Sequence, residues 1–343
     1  MDITTTNLFN KQRQWDMCQQ LSHSSAEQLS DVLRSYYHPD VAWHGCAPFN
    51  SLQGYEAMLE GFYLPFYHAF AHVRKAPYIL MAGDFDGKSW VSLTGNLYAD
   101  FVNDWLGIPA TSAPVCLRFG EFHAMVAGRI CESYLLIDIP DLMYQAGIQV
   151  FPFYLGQQGV IPAPQRRDGV LLSNSDDPSS QASLKLVEAM IGGLSSYDQN
   201  SLTSMAQKQY WHPDMCWYGP HGIGSSRGLA VYERDHQIPF LQAFPDRKGG
   251  HHRARFADAH YVCSTGWPSI YATHAGDYLG TAASQRAISM RVMDWWRCDA
   301  GVLAENWVFI DMVDLFQQLS VDLLAIREPL VPNTSPTSTG ASL

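Results

Sequence analysis

The sequence predicts two tandem α+β domains, each built of three short helices packed on one face of a curved, four-stranded antiparallel sheet that closes into a cone. Three observations carry this reading. The chain has 343 residues, more than one hydrophobic core usually organises, since cores stop growing near roughly 250–300 residues. Its two halves repeat one another. Within each half, helical periodicity comes first and strand alternation follows, the order of an α+β domain.

The repeat sets the boundaries. Tyr37-His38-Pro39-Asp40-Val41-Ala42-Trp43-His44-Gly45 recurs as Trp211-His212-Pro213-Asp214-Met215-Cys216-Trp217-Tyr218-Gly219, at an offset of 174. Gly54 meets Gly228, and Pro65-Phe66 meets Pro239-Phe240. After one deletion the offset is 173: Asp104, Leu106 and Gly107 meet Asp277, Leu279 and Gly280, Arg118 meets Arg291, and Ile137-Asp138 meets Ile310-Asp311. Self-similarity in one order with a single gap marks a duplication. It predicts domains at 8–147 and 182–322, joined by a Pro/Gly/Gln/Ser-rich connector at 148–181 and followed by a disordered Pro/Ser/Thr-rich tail at 323–343.

In each repeat the first helix is expected at 11–21 and 183–192, where apolar residues recur three or four apart. A second helix ends near the Tyr-His-Pro-Asp run, because proline disfavours helix at the residue before it; His38 and His212 then sit at a helix boundary as structural groups. A third helix follows Gly54 and Gly228. Strands are expected at 76–82, 89–101, 114–126 and 129–138, with hairpins at Asp86-Gly87 and Ala127-Gly128.

Composition narrows the function. Hydrophobic residues make up 47% and charged residues 16% of the chain, a globular balance. A formal charge of -11 is the wrong sign for gripping nucleic acid or anionic lipid. No apolar run reaches the length of a membrane span and residues 1–10 lack a signal-peptide pattern, so a cytoplasmic protein is expected. Seven scattered cysteines without a C-x-x-C pair read as reduced thiols. His251-His252 with His260 lacks companion ligands, so no metal is expected.

On the last strand, side chains two apart share a face, so Glu132, Tyr134, Leu136 and Asp138 point one way, as do Glu305, Trp307, Phe309 and Asp311. A carboxylate ending an aromatic-lined face has its pKa raised by desolvation. Trp43 and Trp217 are expected to stack on a planar ligand or, alternatively, to pack in the core. His44 against Tyr218, and His221 against Ala47, differ between the halves and would set separate ligand preferences. His274 is a pocket candidate in the second half. His123 and Trp296 share the third strand with Glu121 and Asp294, and His123 is placed to pair with Asp138. Asp138 and Asp311 equally suit the N-cap of a following helix.

The closing pattern Glu305-Asn306-Trp307-Val308-Phe309-Ile310-Asp311-Met312-Val313-Asp314-Leu315-Phe316-Gln317-Gln318, with Gly276-Asp277-Tyr278-Leu279-Gly280, resembles the SnoaL-like polyketide cyclases of the nuclear-transport-factor-two-like superfamily. The first half keeps Glu132, Asp138, Leu142 and Gln145. The resemblance implies a cofactor-free enzyme acting on a small carbonyl or polyketide-like molecule by aldol-type cyclisation or isomerisation, with Asp311, and Asp138 in the first half, as general acid/base. Trp43, Trp217, Trp307, Tyr134, His44, His221, His123, His274 and Trp296 would then bind substrate. It also implies a pseudo-dimer joined through the open sheet faces, with further oligomerisation open. Two other readings compete: a non-catalytic small-molecule-binding or protein-interaction module on the same fold, and epoxide hydrolysis by an Asp-Arg-Asp relay using Arg118 or Arg291.

Overall fold

A computed structural model describes residues 3–25, 27–174 and 177–330. The first domain runs α1 (Ile3–His23), α2 (Leu29–Tyr36), β1 (Tyr37–Gly45), β2 (Ser51–Gln53), α3 (Tyr55–Met58), a π turn (Leu59–Tyr63) and α4 (Leu64–Ala69). Four long strands follow, β3 (Phe70–Phe85), β4 (Lys88–Phe101), β5 (Pro114–Val126) and β6 (Arg129–Ile137), and α5 (Ile139–Gln145) closes the domain.

The second domain repeats this order. It opens on α6 (Asp177–Ser195), which starts ahead of the expected 183, and has two short 3-10 turns (Leu202–Met205 and Gln207–Gln209) where α2 would stand. Then come β7 (Trp211–Tyr218), β8 (Ser225–Arg227), α7 (Leu229–Tyr232), a π turn (Glu233–Gln237) and α8 (Ile238–Ala243). The strands β9 (Lys248–Gly249), β10 (His252–Asp258), β11 (Tyr261–Thr273), β12 (Ala287–Asp299) and β13 (Val302–Ile310) lead into α9 (Met312–Gln318).

The sheets are larger than the four antiparallel strands expected. Their orders are β2-β1-β6-β5-β4-β3 and β10-β11-β12-β13-β7-β8, with β9 beside β11. The additional strands begin at the Tyr-His-Pro-Asp run itself. β1 lies parallel to β6, and β7 parallel to β13. A parallel pair has no hairpin between its strands and leaves no local signal. The proline is accommodated because pairing breaks between Tyr37 and Ala42, where residues 38–40 bulge into solvent and a missing N–H costs no ladder bond. His38 and His212 accept the backbone N–H groups of Asp40 and Asp214 at 3.2 and 3.0 Å, so they brace the bulge.

Glycine is required just before the third helix. Gly54 and Gly228 stand at φ +85° and +83°, a region that side chains with a Cβ resist. Asp86-Gly87 and Ala127-Gly128 turn at positive φ in both positions, as do Ala300-Gly301, which matches the right-handed twist of the hairpins they join.

Helices cover one face of each sheet, and the other faces pack against each other. Trp295 Nε1 donates to Ser92 Oγ at 2.9 Å, and Phe122 lies 5.2 Å from the Trp295 ring. The Arg118 guanidinium sits 4.1 Å from the Phe309 ring centre. At one edge, buried Lys11 donates to Asp258 at 2.9 Å, and the same carboxylate oxygen accepts the Ala82 N–H. The connector threads over both domains: Gly169 and Leu171 bond Leu80 of β3, and Gln157 pairs with Ser225 of β8. Residues 323–330, expected in the tail, are ordered through Gln149 N–H to Glu328 O and Leu330 N–H to Gly147 O. The rest of the tail, 331–343, lies outside the described residues.

Gly120 sets the separation of the sheets, since a Cβ there would lie 2.6 Å from Trp295. Gly120→Val is expected to lower stability by ~1–3 kcal/mol through overpacking. Gly192→Ala, in α6 with open space around it, should be neutral or slightly stabilising. Urea unfolding of both variants checks this.

Candidate functional site

The cone of the second domain holds a cavity of about 630 Å³. Trp217 reaches it from β7, His236 and Gln237 from the π turn, Asp294 and Trp296 from β12, and Asn306 from β13. Residues 294 and 296 share a face because strand side chains alternate. The π turn widens the helix so that consecutive residues both line the cavity, a use to which such turns are often put.

Asp294 stands alone among these groups as an acid. Its Oδ1 accepts a long bond from Asn306 Nδ2 at 3.4 Å. Burial pushes its carboxyl up to about 7, with Asn306 and the Arg255 charge pulling the other way. It is packed deep in the domain yet keeps partial accessibility through the cavity. His236 stacks on Trp217 at 4.2 Å, and burial, helped by Arg247, pushes it down to about 3, so the imidazole is neutral. His236 Nδ1, both amide atoms of Gln237 and Trp296 Nε1 are buried without a protein partner. Such groups are rare in folded proteins, and a cluster of them lining one cavity can hydrogen-bond a ligand or water.

In the first domain the same space is filled. Phe62 and Tyr63 replace His236 and Gln237; Phe62 packs on Trp43 at 4.9 Å, and Tyr63 hydrogen-bonds Tyr37 at 2.8 Å. Glu121 stands where Asp294 does. Burial acts to raise its carboxyl, but Lys75 at 2.6 Å and His123 at 3.3 Å bring it to about 2. Lys75 pairs with Leu97 across the sheet, and Gly249 with Ile270 at the matching register. The second domain therefore has a glycine where the first has the neutralising lysine.

Of the sequence-predicted residues, Trp217 and Trp296 line this cavity. Trp43 is core, and His123 bonds Glu121 and Ser133, not Asp138. His274 is buried beside Phe244, bonded to Ser284. Six others gather at the domain junction. Tyr134 stacks on His44 at 4.7 Å and donates to Glu132; Trp307 packs on Tyr218 at 5.3 Å and donates to Pro162 O. Asp138 accepts the His221 N–H at 2.9 Å, and Asp311 accepts the Ala47 N–H at 2.8 Å. The two aspartates thus reach symmetrically into the opposite domain. Asp311 also caps α9 through Asp314 N–H and, with Asp314, holds Arg291 at 3.1 and 3.3 Å. This Asp-Arg-Asp group lies outside the second-domain cavity. Arg118 instead donates to Tyr218 O and Gly219 O, and Asp138 with His221 borders a smaller junction cavity of about 230 Å³. Burial raises Asp138 and Asp311 to about 6.

Sequence reasoning missed Asp294, Asn306, His236 and Gln237 as a group. The repeat held a signal: Glu121 and Asp294 are carboxylates at one position, and only the first has a lysine facing it. Among the described residues no group of three or more His, Cys, Asp or Glu side chains is placed to hold a metal ion, and no helix is long and apolar enough to cross a membrane.

Residues 198–319, within the second domain, match the family model of SnoaL-like polyketide cyclases; the first domain repeats the sequence pattern of the second. Among solved structures the chain is similar to AclR of Streptomyces galilaeus, provisionally described as a hydroxylase, at 21% identity over 41% of this chain and 97% of that one, with a TM-score of 0.34. It is similar to a provisionally described SnoaL-like polyketide cyclase of Jannaschia sp. CCS1 at 14% identity over 42% and 95%, TM-score 0.36. A nuclear transport factor 2-like protein of Burkholderia xenovorans LB400 matches at 13% over 40% and 96%, TM-score 0.32. No curated protein matches the chain by sequence.

Two variants test the contrast between the copies. Glu121→Gln leaves Lys75 buried without its counter-charge and should cost ~3–5 kcal/mol, read by urea unfolding. Asp294 binds its proton more tightly folded than unfolded, so its contribution to stability is full below about pH 4 and is lost as pH rises through about 7. Asp294→Asn should therefore raise Tm at pH 8 and leave it nearly unchanged at pH 4.

Proposed function

We propose that the second domain is a cofactor-independent enzyme that moves a proton at a carbon beside a carbonyl, as a cyclase or isomerase does, with Asp294 as the acid/base. The observation that carries this reading is Asp294 itself: an unpaired carboxyl raised to about 7, opening onto a cavity with unused hydrogen-bonding groups. A carboxyl poised near neutral pH both takes and returns a proton efficiently. The SnoaL-like match of residues 198–319 supports the reaction class.

In an aldol ring closure the Asp294 carboxylate removes the C–H proton, and the electron pair moves onto the neighbouring carbonyl oxygen. N–H groups of Trp296 and Gln237 are the available donors to that oxyanion. The enolate carbon then attacks a second carbonyl of the same molecule, a C–C bond forms, and the alkoxide recovers the proton from Asp294. Trp217, backed by the His236 ring, offers a face for a planar substrate. In this reading Asp311 and Asp138 serve the domain junction, and the first domain is a structural half whose interior is filled.

The test uses 2-tetralone, a bicyclic ketone, in deuterated buffer. The protein should accelerate deuterium uptake at its α-carbon, with a rate that rises with pH and levels off above about 7 as Asp294 ionises. Asp294→Asn should slow the exchange at least ~100-fold while tryptophan quenching shows 2-tetralone still bound. Wild-type exchange in that variant would sink the assignment.

A further inference from the structure

We infer that the ligand of the second-domain cavity carries a carboxylate, held by Arg255, with Arg247 lining the same cavity. This rests on the reading that the cavity is the substrate site and is independent of what Asp294 does there. The chain as a whole is acidic, at -11, yet Arg247, Lys248 and Arg255 line this cavity against Asp246 and Asp294. Asp246 is engaged at the rim by the N–H and hydroxyl of Thr273, both at 2.7 Å.

The surroundings of the two arginines point to an anionic ligand. Arg34, Arg166, Arg234, Arg291 and Arg297 each hold a carboxylate within ion-pair distance. Among the described residues Arg255 and Arg247 hold none within that distance, nor does Arg118, which is met instead by Tyr218 O and Gly219 O; Glu188 and Asp294 act on Arg255 from farther off. Arg255, half-buried on β10, spends Nε on Ser264 Oγ at 3.3 Å and Nη2 on the His252 ring at 2.7 Å. Burial and Arg255 itself keep His252 at about 4, so it is a neutral acceptor and cannot balance the charge. Arg247 donates to Leu194 O at 3.0 Å and lies 5.5 Å from the Tyr197 ring centre. Burial lowers the pKa of both guanidinium groups.

A guanidinium partly withdrawn from water with no carboxylate in contact is costly, and a planar carboxylate is the partner its fork fits bidentately. A monoanion suits the site better than a phosphate dianion, because Asp246 and Asp294 border the same space. The volume of about 630 Å³ accepts a fused-ring acid. A carboxylate held by Arg255 would orient the rest of such a molecule toward Trp217, Trp296 and Asp294.

The experiment titrates the full chain with 2-naphthoate and with its neutral isostere 2-naphthamide, following tryptophan fluorescence and heat of binding. Naphthoate should bind at least tenfold more tightly in low salt, and the preference should shrink as salt rises. Arg255→Gln should abolish the preference while naphthamide binds as before, which also shows that the cavity persists. Arg247→Gln should weaken it less, and Arg255→Lys, which keeps the charge and loses the fork, should fall between. Equal binding of the two probes, an unchanged preference in Arg255→Gln, or tighter binding of naphthyl phosphate than of naphthoate would overturn the proposal. Binding of neither probe would remove its premise. If naphthoate is preferred but 2-tetralone exchange is not catalysed, the carboxylate site stands and the acid/base reading falls; catalysed exchange without the preference leaves the reverse.

Discussion

The contact between the two sheets is the constraint on which the rest of the protein depends. Trp295 hydrogen-bonds Ser92 and packs on Phe122, Arg118 lies over Phe309, and Gly120 leaves the gap that the tryptophan enters. With the open faces buried on each other, ligand space remains inside the cones or at the seam. Across the seam Asp138 accepts the His221 N–H and Asp311 the Ala47 N–H, so each domain helps complete the other.

That mutual support lets the two interiors diverge. Both copies bury a carboxylate at one place on the third long strand of the meander, Glu121 and Asp294. In the first copy Lys75 and His123 neutralise and fill the space, and burial is offset by charge pairing. In the second, Gly249 replaces the lysine and His236 and Gln237 replace Phe62 and Tyr63. The carboxyl there is left to desolvation, and a cavity opens over it. At this place one copy packs as a core and the other keeps a cavity lined by unpartnered groups of the kind binding sites carry.

Much of the fold was legible. The duplication, the hairpin turns, the glycine before each third helix and the long antiparallel strands all rest on local rules, and the SnoaL-like pattern pointed to the domain type. The parallel strands β1 and β7 were not legible, because their partners lie some ninety residues away and a bulge hides the proline. Of the expected site residues, Trp217 and Trp296 line the second-domain cavity. Alternation put Asp138 and Asp311 beyond aromatic strands but says nothing of what stands opposite. The group opposite each aspartate is a backbone N–H from the other domain.

By itself, then, the sequence determined two copies of one α+β unit and a carboxylate at position 121 or 294 in each, since repeats and alternation depend only on neighbours along the chain. The tertiary structure decided which carboxylate has a lysine beside it, which cone holds a cavity and which aspartates serve the seam. Desolvation and charge pairing act through space, between residues that the order of the chain keeps far apart.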